Sequence, residues 1–225
     1  MNAKSIFTRA ASVALLALAT PLLAAGDVGL VNQLSGNVSY TSGKETAKAS
    51  AFMKVREGDK FSVPAGAQVR VVYFQNGRQE SFSGPAGFTA GAQQSTVQSG
   101  AQPQVVTLPA GVSQKIAQTP ELIQIARLGR SGGVAVRGTG REARLNPQQQ
   151  AEVRQAKETY KKLRAQSAAD DITPELYLYS VLQDNLLYND MKPVVDDMAR
   201  RQPGNADITA MLEYVKAKTS APAKQ

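Results

Sequence analysis

The chain has 225 residues, 26 Lys and Arg against 18 Asp and Glu, and no cysteine, histidine or tryptophan. Without cysteine there is no disulfide framework and no thiolate chemistry, and without histidine the commonest general base and metal ligand is missing. The length suits two modest domains or one large one, and a formal charge of +8 is too mild to indicate nucleic acid.

The first expected element is a leader. Lys4 and Arg9 form a basic head, and an apolar run from Ala10 to Ala25 ends in small residues. That run is shorter than the roughly 20 residues a membrane span requires. Residues 1–25 are therefore expected to be a cleaved signal peptide, which places the protein in the periplasm with no transmembrane segment in the mature chain. Setting Lys4 and Arg9 aside leaves 24 basic residues against 18 acidic. From Pro147 onward the two signs balance, so the excess sits earlier in the chain. Such a charge favours an anionic wall polymer or lipid surface as a contact.

Residues 27–127 read as a β-rich domain. Short apolar runs are separated by turn signals such as Thr41-Ser-Gly-Lys44, Glu57-Gly-Asp59 and Pro64-Ala-Gly66, at the spacing of a sandwich, barrel or β-roll. Strands are expected to continue through Gln104–Leu108 and Gly111–Gln114. Pro85-Ala-Gly87 and Pro109-Ala-Gly111 echo Pro64-Ala-Gly66, which reads as recurring turn chemistry, with a short-repeat array at spacings of 21 and 24 residues left open. The central stretch is Ala67–Phe82. Val69, Val71 and Tyr73 alternate with Arg70 and Val72, and Asn76-Gly77 suits a two-residue type I′ turn. That turn pairs Gln75 with Arg78, Tyr73 with Glu80 and Val71 with Phe82, and it puts Val69, Val71, Tyr73 and Phe82 on one face.

Residues 128–145 form a Gly/Arg-rich linker, in which Arg130, Arg137, Arg141 and Arg144 are the candidate contacts for an anionic partner. Gly138-Thr-Gly-Arg141 lacks the lysine and Ser/Thr pair that would close a phosphate loop. Residues 146–219 then read as four helices, with a frayed tail over 220–225. Asn146-Pro147 is a start signal, and Val153, Ala156, Tyr160 and Leu163 share one helical face. Asp170-Asp171 is read as a cap for the second helix. There Leu176, Tyr179, Leu182, Leu186 and Leu187 face one way, and Tyr177, Val181 and Tyr188 the other. The second set either packs against another helix or lines a partner groove. Asn189-Asp190 is expected to separate this helix from a third, Met191 to Arg201. The fold class expected is α+β: an N-terminal all-β domain, a short-strand sandwich or β-roll, followed by a small C-terminal helical hairpin bundle.

Two resemblances have residues behind them. Gly36-Asn-Val38, Glu57-Gly-Asp59, Ala67-Gln-Val-Arg-Val71 and Phe74-Gln-Asn-Gly-Arg-Gln-Glu80 resemble the FecR-type periplasmic β domain over about residues 28–119. That resemblance implies an extracytoplasmic interaction module. The cytoplasmic segment and membrane helix of the founding family have no counterpart here. Leu182, Leu186, Tyr188, Asn189-Asp190 and Pro203-Gly-Asn205 resemble a degenerate pair of tetratricopeptide-like hairpins over about residues 151–215.

The paired carboxylates Asp170-Asp171 and Asp196-Asp197 read as a cap and a solvated ion-pair face, and no serine has a base to activate it. The chain is therefore expected to be a non-enzymatic interaction or scaffold protein of the bacterial envelope, with no cofactor and no bound metal. Its β domain would meet a ligand or wall component, and its helical end would dock a protein. Two alternatives are a structural or matrix component assembling through exposed edge strands, and an extracytoplasmic regulator of a membrane signalling protein.

Overall fold

The computed structural model describes residues 26–130 and 144–220. The leader, most of the linker with Arg137 and Arg141, and residues 221–225 of the tail lie outside the described residues. The layout is α+β. Ten strands form two antiparallel sheets and are followed by six helices.

The strands are β1 (Asp27–Ser35), β2 (Ser39–Ser42), β3 (Glu45–Lys48), β4 (Lys54–Arg56), β5 (Lys60–Val63), β6 (Gln68–Tyr73), β7 (Arg78–Ser83), β8 (Ala86–Ala90), β9 (Ser95–Gly100) and β10 (Gln104–Thr107). One sheet has the order β10-β7-β6-β1-β4 and the other β3-β2-β5-β8-β9. Alternation closes them into a sandwich, because Val31, Val69, Val71, Phe82, Phe61, Val63 and Phe88 all point between the sheets. Phe88 stacks on Phe82 at 3.9 Å and on Phe61 at 4.9 Å between ring centroids. The three Pro-Ala-Gly copies serve different ends: a turn before β6, the start of β8, and the approach to the first helix.

The central hairpin keeps its predicted face and loses its predicted register. Val69 pairs with Phe82 and Val71 with Glu80, two residues away from the expected ladder, so Tyr73 is not opposite Glu80. A shift of two preserves which side chains point inward. The loop is four residues, Phe74 to Gly77, rather than two. Gly77 N–H donates to the Tyr73 carbonyl, and Asn76 Oδ1 accepts from Arg78 N–H. Gly77 carries the positive φ of 67° that this closure requires. Phe74 leaves the strand to pack against the helices.

The helices are α1 (Val112–Ala117), α2 (Thr119–Arg130), α3 (Pro147–Gln166), α4 (Thr173–Asp184), α5 (Tyr188–Arg201) and α6 (Ala206–Ser220). The strand expected at Gly111–Gln114 is helix instead, so the helical unit begins ahead of the linker. Pro120 sits in the first turn of α2, and Leu122, Ile123 and Ala126 are buried at helical spacing. Asn146 and Gln149 form a reciprocal capping box at the start of α3. The break between α4 and α5 falls at Leu186, with φ 56°, so Asn189-Asp190 lies inside α5 rather than before it. Packing runs from α3 to α4, α5, α6 and α2, with α1 laid on α4.

The helices cover the outer face of the first sheet. Leu30, Phe52, Val72 and Leu108 from the β part share one core with Ile116, Ile123, Leu176 and Met191. Among the described residues no helix is long and apolar enough to cross a membrane.

Candidate interaction groove

A buried polar seam holds the helices to the sheet and positions everything beyond it. A bulge in β1 between Val31 and Gln33 lets Asn32 and Gln33 both face the helices, while Val31 and Leu34 stay with the sandwich. Asn32 donates to Thr173 Oγ1, and Gln79 Nε2 donates to Asp171 Oδ2 at 2.9 Å. The Thr173 hydroxyl lies 2.8 Å from Gln79 Oε1 and 2.6 Å from Asp171 Oδ1. Arg70 donates to Ser81 Oγ at 2.9 Å and to Gln33, and its guanidinium is 3.5 Å from Asp171. Asp171 also accepts the Thr173 N–H at 2.8 Å, but the N-cap of α4 is Ile172 and has no side-chain cap, so the cap expected of Asp170-Asp171 gives way to a turn that ties Asp171 to the sheet.

Beyond the seam, α3 and α5 stand as two walls over α4. Between them lies a recess of about 340 Å³, floored by Leu178 and Leu182 of α4 and Val194 of α5. Tyr160 and Lys161 form one wall, Pro193 and Asp197 the other. A second recess of about 400 Å³ continues past Lys157, Lys161 and Asp190 towards Leu145, Val153 and Leu187. Where the two meet, Lys157 Nζ reaches from α3 to Asp190 Oδ2 on α5 at 2.6 Å.

The inner end of the groove rests on an ionic cluster. Glu175 is 0% exposed, with Arg164 Nη1 at 3.1 Å, while Arg201 Nε makes an ion-pair contact at 3.3 Å. Burial raises the Glu175 carboxyl above its ordinary value, and the two arginines only partly oppose the rise. The Tyr160 hydroxyl donates to Glu175 Oε1 at 3.4 Å and lies 3.5 Å from Asp197 Oδ2. Its pKa is pushed up to about 12, by burial first and then by the two carboxylates. The rim charges pair locally: Lys161 with Glu158, and Arg200 with Asp197. The groove can therefore hold an apolar segment by burial, with exposed and exchangeable ion pairs along its lips.

The residues singled out in the sequence lie elsewhere. Val181 is 1% exposed and belongs to the helical core. Tyr177 is half-buried against α3. Tyr188 meets Tyr214 edge-on at 6.1 Å, with Lys218 Nζ 5.9 Å above its ring. The groove is not lined by these three, because the Tyr177 side of α4 is occupied by α1. Lys115 pairs with Asp184 at 2.6 Å, and Ser180 Oγ donates to Gln118 at 2.7 Å. The groove-facing pair is Leu178 and Leu182, one turn apart. Of the linker arginines, Arg144 is exposed just ahead of α3 and Arg130 ends α2. In Asp196-Asp197, Asp196 pairs with Lys192 at 2.9 Å and Asp197 with Arg200.

A wider cleft of about 710 Å³ opens between the end of β1, the segment before β4, α2 and the α5–α6 turn. Its charged groups already have partners: Arg127 with Asp207 inside the cleft, and Arg201 with the Ala169 carbonyl and Glu175 outside it. In the sandwich, Glu80 is also 0% exposed, taking Arg78 Nε and the Ser95 N–H. Among the described residues no cluster of acidic groups is arranged to hold a metal ion. No family model matches the chain, and no curated protein or solved structure matches it either.

Proposed function

We propose that the chain is an exported, non-enzymatic interaction protein of the bacterial envelope, in which a FecR-like β sandwich carries a tetratricopeptide-like helical unit that docks a segment of a protein partner. The observation that carries this reading is the groove between α3 and α5. Its floor is apolar, its walls come from alternate helices of the array, and the two recesses follow one another along α3, a path that suits an extended or helical segment. Each helix from α3 to α6 packs on the next, which is the succession a hairpin array requires. The leader-like residues 1–25 support export. The surplus of basic residues ahead of Pro147 supports contact with an anionic wall polymer or lipid surface on the sandwich side. A non-catalytic role is supported by the missing histidine and cysteine, and by buried carboxylates that are each tied to an arginine or an amide.

The groove is best tested by point replacement. A cut in the linker would strip α4 and α6 from α1 and α2 and uncover Leu122, Ile123 and Ala126. A photoreactive residue at Pro193 should give a discrete adduct in the intact envelope, and one at Lys216 on α6 should not. Equal labelling at both positions, or none at Pro193, would sink the docking reading.

A further inference from the structure

We infer that β10 pairs, antiparallel and about a two-fold axis, with β10 of a second copy of this chain. This interface is separate from the groove and does not depend on the reading given to it. A sandwich of two open sheets has four edge strands, and soluble proteins guard such edges with charges, bulges or cover. Three of the four edges here are guarded. β4 carries Lys54 and Arg56, with Lys54 held 3.0 Å from Asp27, and its ladder is bulged between Asp27 and Gly29. β3 has Glu45 and Lys48 at its ends. The β9 ladder is bulged between Gly87 and Phe88.

Among the described residues β10 has no charge, bulge or cover, and only its four-residue length and the flanking prolines limit it. It pairs with β7 at four consecutive positions without a bulge, and no described strand lies on its other side. Val105 is 43% exposed and Val106 51%. No charged residue stands anywhere between Glu80 and Lys115, although charged residues make up 20% of the chain. The occupant follows from this chemistry. A two-fold axis through Val105 or Val106 sets that valine opposite its own copy and brings no like charges together. The same operation centred on Val55 of β4 would set Lys54 against Arg56. Pro103 and Pro109 bracket the strand, so the added ladder is short and the pair closes on itself rather than growing.

Sedimentation equilibrium over a wide concentration range provides the test. The full chain should show a reversible monomer–dimer equilibrium, and Val106→Lys should weaken it by at least about tenfold. Val105→Lys, at an equally accessible position, should do the same, while Lys48→Ala on the guarded edge should leave it unchanged. Amide exchange gives a second readout: the β10 amides should slow as concentration rises, and those of β3 should not. A chain that stays monomeric throughout overturns the inference. So does a dimer that survives both lysine substitutions, or one that forms with β10 exchange unaltered.

Discussion

The two faces of the β10-β7-β6-β1-β4 sheet are buried against different kinds of partner. The inner face offers Val31, Val69, Val71 and Phe82 to the second sheet, with polar bonds only at the Ser95 end, to Glu80 and Tyr73, and many apolar arrangements of similar volume could fill the rest of that space. The outer face sets Leu30 and Val72 beside Asn32, Arg70 and Gln79, whose partners are particular atoms of Thr173, Asp170 and Asp171. Apolar area supplies stability wherever it is buried, whereas a satisfied polar seam accepts one arrangement of the helices and penalises the others. The inner face thus mainly stabilises the protein, and the outer face orients α4, which in turn floors the groove.

Four substitutions put this contrast under strain, and their expected effects decrease in turn. Phe88→Ala removes the middle ring of the stacked trio and should cost about 3–5 kcal/mol in chemical denaturation. Thr173→Val keeps the shape and removes the hydroxyl at the centre of the seam, at a cost of about 1–3 kcal/mol. If the valine variant lost more than the alanine variant, the division of labour between the faces would fail. Glu175→Gln tests the ionic cluster through pH. Folding raises this carboxyl above its ordinary 4.5, so the stability it contributes is complete below that value and is lost as pH rises through the raised one. The glutamine variant lacks that loss, so its stability relative to the parent should improve over the interval. A relative change in the opposite direction would mean that Arg164 and Arg201 outweigh burial. Lys157→Ala breaks an exposed pair at the groove and should change stability by less than about 1 kcal/mol.

The inner face is legible in the sequence because its signal is local: alternation through Val69, Val71 and Tyr73 needs no distant partner. The hairpin register is less so. Asn76-Gly77 fits a two-residue turn by propensity, yet Asn76 Nδ2 also donates to the Gln93 carbonyl, a partner that no local pattern reveals. The outer face is hidden for the same reason, since Gln79 and Asp171 are separated by 92 positions. A signal for α2 was present in Thr119-Pro120 and the spacing of Leu122, Ile123 and Ala126, but it is masked by the glycine and proline just upstream. Which side of α4 meets the recess is not legible, because α4 is buried on nearly every side. Periodicity then cannot distinguish the side facing α1 from the side facing the recess.

The bond from Asn32 to Thr173 spans 141 positions, and that sets the order in which the molecule can be completed. A chain delivered amino-terminus first presents β1 and β6 long before α4 arrives. Within the sheet Gln33 can take Arg70, and α1 reaches β1 at mid-chain. Thr173 and Asp170, the partners of Asn32 and Gln33 across the seam, arrive only when roughly three quarters of the chain has emerged. Maturation is thus back-loaded. The hairpin contacts can form early, but the sheet's outer side is sealed only when the last third docks, a late and non-local step of the kind that slows folding and leaves a partly built intermediate adhesive.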